Sequence, residues 1–201
     1  MSRHLAFALV LLLSGCAQIE QSARDALDDA RPTTYETSQG ESVRFALGAV
    51  AFGDRVARFA PTVSLAPAYS DPSQAVGAPD YGTDRCRSGD ECYLTLTSGG
   101  TVVVEFTNNT LFDGPGDDIA IFEIGPDIEA TTVEISVDGR DYLPLGRVEG
   151  ASALLDIAGR GMPGAQYRFV RLTDDPGQGD SGGSTPGADL DAVGAIHAER
   201  R

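Results

Sequence analysis

The chain has 201 residues, of which 30 are acidic and 15 basic, for a formal net charge of −15 at pH 7. A surface that negative repels nucleic acid and gains nothing at anionic lipid headgroups, while it favours divalent cations, so the expectation is no nucleic-acid partner. Every basic residue is arginine and tryptophan is absent, which deprives any extended sugar-cleaving groove of its usual stacking surface.

At the N-terminus, Ser2-Arg3-His4 form a short basic head and Leu5 to Leu13 an apolar run. The run is too short to cross a hydrocarbon core of roughly 30 Å as a helix, so it reads as the core of a signal peptide and not as a membrane span. Leu13-Ser14-Gly15-Cys16 follows at once and resembles the lipobox of bacterial lipoproteins. That resemblance implies that residues 1–15 are removed and that the Cys16 thiol receives diacylglycerol. Several acyl chains at about 0.8 kcal/mol per buried methylene make such an anchor effectively permanent. The resemblance also points to the outer membrane, because Ala17, and not Asp, follows the cysteine. The alternative is an ordinary secretory signal with a chance cysteine.

Residues 16–42 are polar and poor in large apolar side chains, which suggests a tether that begins at the lipidated cysteine. From Val43 to Arg201 the texture changes to short runs of Val, Ile, Thr, Phe and Tyr divided by Gly, Pro, Asp and Ser. Candidate strands cover 49–52, 54–59, 93–97, 101–107, 119–124, 132–137, 142–148, 153–156, 166–173 and 189–196. Ser98-Gly99-Gly100 and Val137-Asp138-Gly139-Arg140 read as hairpin turns. No stretch beyond the tether sustains a helical period, so the expectation is an all-β, antiparallel β-sandwich, with jelly-roll topology by analogy. Within it, Cys86 and Cys92 close a short loop, and an oxidising compartment favours a disulfide there. Zinc would need two further ligands, and beyond the leader there is one histidine, His197.

Two acidic segments enter apolar strands: Asp113-Gly114-Pro115-Gly116-Asp117-Asp118 before Ile119, and Asp189-Leu190-Asp191 before Ala192. In a regular strand Asp189 and Asp191 share one face, roughly 7 Å apart. Calcium takes six to eight oxygens, and these carboxylates with Glu123 and the 174–180 loop are suitable donors. Aspartates in Gly/Pro loops also cap turns by accepting backbone N–H groups, and this spacing is not that of an EF-hand.

Phe52-Gly53-Asp54-Arg55-Val56, Asp71 to Asp80, Gly99-Gly100, Asp113 to Asp118 with Phe122-Glu123, Ser136 to Gly139, and Asp189 to Val193 together resemble bacterial cell-surface proteins with a discoidin-like, galactose-binding-type jelly roll. The match runs from about residue 45 to 197. It implies a β-sandwich, often calcium-associated, that serves attachment or recognition. Asp118, Glu123, Asp189 and Asp191 then carry over as candidate structural or metal-binding carboxylates, and Asp113 of the first acidic segment joins them as a candidate calcium ligand. Ile124 stands where the group carries a polar residue.

Two enzymatic patterns compete with that reading. Gly179-Asp180-Ser181-Gly182-Gly183 fits a serine-nucleophile loop, but the segment is rich in Gly, Ser and Pro and lacks the strand–turn–helix setting such a nucleophile needs. Acidic pairs for glycoside hydrolysis will occur by chance in so acidic a chain. Tyr69 and Tyr81 sit in loops and could stack on a sugar ring, or plug the ends of the sandwich. The expectation is therefore a lipid-anchored envelope protein whose calcium-stabilised sandwich serves binding or attachment, to a glycan or an envelope protein, and does no catalysis; the alternatives are a structural or partner-binding lipoprotein without a small ligand, and a secreted hydrolase.

Overall fold

The computed structural model describes residues 27–87, 92–125, 128–150, 153–177 and 183–201. Cys16 with the whole leader, and residues 179–182 of the serine-containing loop, lie outside them. The described chain forms β1 (Thr33–Glu36), β2 (Ser42–Phe45), β3 (Arg55–Ala60), β4 (Leu94–Thr95), β5 (Thr101–Glu105), β6 (Asn109–Leu111) and β7 (Ile119–Glu123). It continues with β8 (Ile128–Ser136), β9 (Leu143–Gly150), β10 (Leu154–Leu155), β11 (Phe169–Asp174), β12 (Asp189–Ala195) and β13 (Ala198–Arg200). Among the described residues no helix is long and apolar enough to cross a membrane.

The architecture is an all-β antiparallel sandwich. One layer has strand order β3-β5-β11-β8-β9, the other β10-β7-β12-β4, and the small pairs β1-β2 and β6-β13 flank them. Side-chain alternation builds the stack. In β11 Val170 and Leu172 are buried, while Phe169, Arg171 and Thr173 are only partly so. The buried side chains meet Val102 and Val104 of β5, Val133 and Ile135 of β8, and Ile119, Ile121, Leu190 and Val193 of the facing layer. The period of two thus puts one face of each strand into a shared core. Successive strands alternate between the layers, apart from the β8–β9 hairpin and the flanking pairs.

β7 is buried on both faces. Ile119 and Ile121 enter the main core, whereas Ala120 and Phe122 join Val43, Phe45, Ala51, Phe52 and Ala192 in a second cluster behind the four-stranded layer. The β1–β2 hairpin closes that cluster, and Tyr35 meets the rings of Phe52 and Phe45 edge-on at 5.0 and 5.8 Å. Fully burying a Phe is worth about 1.5–3 kcal/mol, so this hairpin is part of the fold. Gly194 is required beneath it, since a Cβ there would stand 2.6 Å from Phe45 and 2.9 Å from Phe52.

Several sequence expectations need correcting. Residues 33–42 are not tether: β1 has Tyr35 as its one large apolar residue, a signal too sparse to mark a strand without its partner. The expected strand at 49–52 is a 3-10 helix, Gly48–Ala51, with the Val50 N–H on the Leu47 carbonyl. Ser98-Gly99-Gly100 does not join a hairpin, because β4 and β5 belong to different layers and the turn carries the chain between them. Asp138 does shape the β8–β9 turn, accepting the N–H groups of Arg140 and Asp141, with Gly139 at φ 74°.

Candidate functional site

The five expected calcium ligands do not converge. Leu190 of β12 lies opposite Glu123, whereas the Ile196 N–H bonds the Asp118 carbonyl, so the two strands run past each other with their acidic entrances at opposite ends. Asp118 and Glu123 are five residue steps apart along the strand, about 17 Å at strand rise. Antiparallel pairing forces this outcome: two segments that each precede a strand cannot meet when those strands pair head to tail.

At one end, Asp118 is fully buried. Its Oδ1 accepts the Gly114 N–H at 2.8 Å and lies 2.8 Å from His197 Nδ1, and its Oδ2 accepts the Ile157 N–H at 2.8 Å. Burial raises the Asp118 carboxyl pKa, against the lowering effect of these bonds. His197 is half-buried against the loop, and a Cβ on Gly114 would meet its ring at 2.3 Å. Asp113 and Asp156 bring oxygens within 4.8 Å of an Asp118 oxygen and of each other. The donors are hard, as calcium requires, but Asp118 has little left to give. Its Oδ1 already serves two partners and Asp156 Oδ1 accepts the Ala158 N–H, so the trio offers about half of the six to eight oxygens of a calcium shell.

At the other end, Asp191 sits at a β-bulge, between Leu190 and Ala192. The bulge breaks the alternation expected to put Asp189 and Asp191 side by side. Asp189 Oδ1 accepts the Thr95 hydroxyl at 2.5 Å, and the Asp191 oxygens face the N–H groups of Asp80 and Tyr81 at 3.4 and 3.3 Å. Both Glu123 oxygens accept one donor, the Glu129 N–H, at 3.2 and 3.0 Å. Burial, helped by Glu129, pushes Glu123 up to about 9. Burial, helped by the nearby Asp80, raises Asp191 to about 7, and burial raises Asp189 to about 6. Glu123 and Asp191 line a cleft of about 430 Å³ with Tyr35, Tyr81 and Phe122.

Tyr69 and Tyr81 do not form a bare platform. Tyr93 lies between them, its ring centroid 5.8 Å from Tyr69 and 6.2 Å from Tyr81. The Cys86–Cys92 disulfide, with Cα atoms 6.1 Å apart, adjoins this trio, and Cys86 bridges to Tyr81. Asp174 also caps backbone, accepting the N–H groups of Gly99 and Ala188 at 3.0 and 2.9 Å.

A further built surface was not singled out from the sequence. On the outer face of the five-stranded layer the register sets Arg58 beside Val103, Val103 beside Arg171, and Arg171 beside Glu134. The next row is Ala60, Thr101, Thr173 and Thr132. Arg171 is held by both Glu134 oxygens at 2.5 and 2.6 Å, and its guanidinium lies 4.0 Å over the Tyr142 ring. Phe169 tucks against Gly139, whose Cβ position is 3.1 Å from the ring. Short side chains at Ala57, Ala60 and Gly139, between the longer Arg58, Tyr142, Phe169 and Arg171, leave a depression of about 490 Å³. The signal was present in Phe169-Val170-Arg171-Leu172-Thr173, whose outward residues are an aromatic, a cation and a hydroxyl.

In comparison with known proteins, no family model and no curated protein matches the chain. A solved structure described as a glycoside hydrolase is similar at a TM-score of 0.35 and 12% identity, over 69% of this chain and 31% of that one. The chain spans about a third of that protein's length, and a likeness of this size bears on neither its activity nor its substrate.

Proposed function

We propose that this is a lipid-anchored envelope protein whose β-sandwich binds a saccharide-bearing surface polymer and performs no catalysis. Cys16 is the attachment point, in the outer membrane, and the alternation of strands between layers supports the jelly-roll reading. One observation carries the binding role: the Tyr142–Arg171–Glu134 stack beside Phe169 in the depression on the five-stranded layer. A ring fixed by a cation, itself fixed by a bidentate carboxylate, is a preorganised flat surface, and the strands beneath hold it rigid. Sugar rings present C–H faces to such surfaces and hydroxyls to the flanking Thr101, Thr173 and Glu134. Calcium belongs to the proposal only at Asp113, Asp118 and Asp156, as a weak, stabilising ion away from the binding face. The test is affinity electrophoresis or calorimetry against soluble polysaccharides with the parent and Tyr142→Ala. A binder that loses at least about tenfold in affinity with intact folding supports the reading. An unchanged binder, or no binding across acidic and neutral polymers, ends it.

A further inference from the structure

Resting on that sheet-face reading, we infer that the ligand is an acidic saccharide, a polymer of the uronic-acid class, and that Arg58 selects its carboxylate. The chain is strongly acidic, yet the lining of this depression contains Arg58 and Arg171 against Glu134 alone, one positive charge in excess. The clefts elsewhere have the opposite balance: Glu36, Glu123 and Asp191 without a basic residue in one, and Asp28, Asp29, Asp80 and Asp84 against Arg85 in another. Arg171 is committed to Glu134 and Tyr142, so its charge is already spent. Arg58 is exposed on edge strand β3, and among the described residues no carboxylate pairs with it. In the same sheet Arg55 and Arg168 share Glu105, and Arg147 holds Glu149 and Asp175. Arg58 is therefore the one cation at this depression whose fork of donors is available to a ligand.

The geometry matches one ligand chemistry. A guanidinium fork fits a planar carboxylate with two parallel hydrogen bonds, and the aromatic surface of Tyr142 and Phe169 across the depression fits the ring that bears it. The acidity of the rest of the molecule does not cancel the attraction. The opposite layer lies about 10 Å behind, on the far side of the core. Its carboxylates Asp189 and Asp191 are turned into their own hydrogen bonds, and burial keeps Glu123 protonated at neutral pH.

The experiment uses the full chain in detergent, at pH 7 and physiological salt, with three probes. These are polygalacturonate, the same polymer fully methyl-esterified, and dextran sulfate. Esterification removes the charge and keeps the rings, so it separates this inference from the reading beneath it. The expected result is polygalacturonate binding at least about tenfold tighter than the ester, with Arg58→Gln reducing the two to parity while its melting temperature stays that of the parent. Equal binding of acid and ester by the parent overturns the acidic-saccharide inference and leaves the sheet-face reading standing. Binding to neither overturns both. Dextran sulfate bound as tightly as polygalacturonate overturns carboxylate selection in favour of a general polyanion site. An undiminished acid preference in Arg58→Gln removes Arg58 from the role.

Discussion

Glu123→Gln should make the protein more stable at neutral pH, because the folded state holds this carboxyl in its protonated form. Its ordinary value is 4.5, and burial with Glu129 nearby raises it to about 9. Between those values the unfolded chain releases a proton that the folded chain retains, so unfolding grows more favourable as pH rises. Stability from this group is complete below 4.5 and declines until pH passes 9. At pH 7.5, three units above the ordinary value, the cost is about 4 kcal/mol. Water entering the adjoining cleft reduces that figure, so a gain of about 2–4 kcal/mol is expected, or roughly 4–16 °C in Tm for a domain of this size. Gln imitates the neutral acid in shape and keeps an acceptor for the Glu129 N–H. Differential scanning calorimetry at pH 4.5 and 7.5 is the assay. The variant should match its parent at the lower pH and exceed it at the higher. Asp189 and Asp191, raised to about 6 and about 7, act in the same direction and complete their loss near neutrality, so the parent itself should melt higher at pH 5 than at pH 8. A parent whose Tm is flat over that range, or a variant no more stable than the parent at pH 7.5, would refute the argument.

Three further outcomes are expected. Asp118→Ala leaves the Gly114 and Ile157 N–H groups and His197 without their shared acceptor and should cost about 3–5 kcal/mol in urea unfolding; a loss under 1 kcal/mol would show that water replaces the carboxylate. Replacing Cys86 and Cys92 by Ser opens a short loop and should cost about 2 kcal/mol, visible as a lower Tm that reducing agent no longer changes, whereas equal melting of parent and variant would exclude a stabilising disulfide. With about half a calcium shell at Asp113, Asp118 and Asp156, millimolar affinity follows. Calcium at ten times that Kd should add about 1.4 kcal/mol, and Asp113→Asn with Asp156→Asn should abolish the gain.

What could be read in advance, and what could not, follows from the range over which each signal acts. Strand identity is local: alternation in 101–107 and 166–173 needs no partner to be seen, and those segments became β5 and β11. Carboxylate convergence is not local. Both acidic segments look alike in sequence, yet whether Asp118 and Asp191 meet depends on strand direction, and antiparallel pairing sends them to opposite ends of β7 and β12. The bulge at Asp191 is likewise set by a partner strand. His197 follows the last long strand, but the chain continues into β13, which pairs with β6 and holds the imidazole against Asp118. The sheet face shows the same limit most clearly. Arg58, Arg171, Glu134 and Tyr142 come from three strands and a turn spread over more than a hundred residues, and only the register makes them neighbours. In an antiparallel sandwich the outward residues carry no hydrophobic signal and face few packing constraints. A ligand site there must be sought by laying the strands side by side, one row at a time, and asking which charges that layout leaves unanswered. By that test Arg58 is the residue on which the acidic-saccharide inference turns.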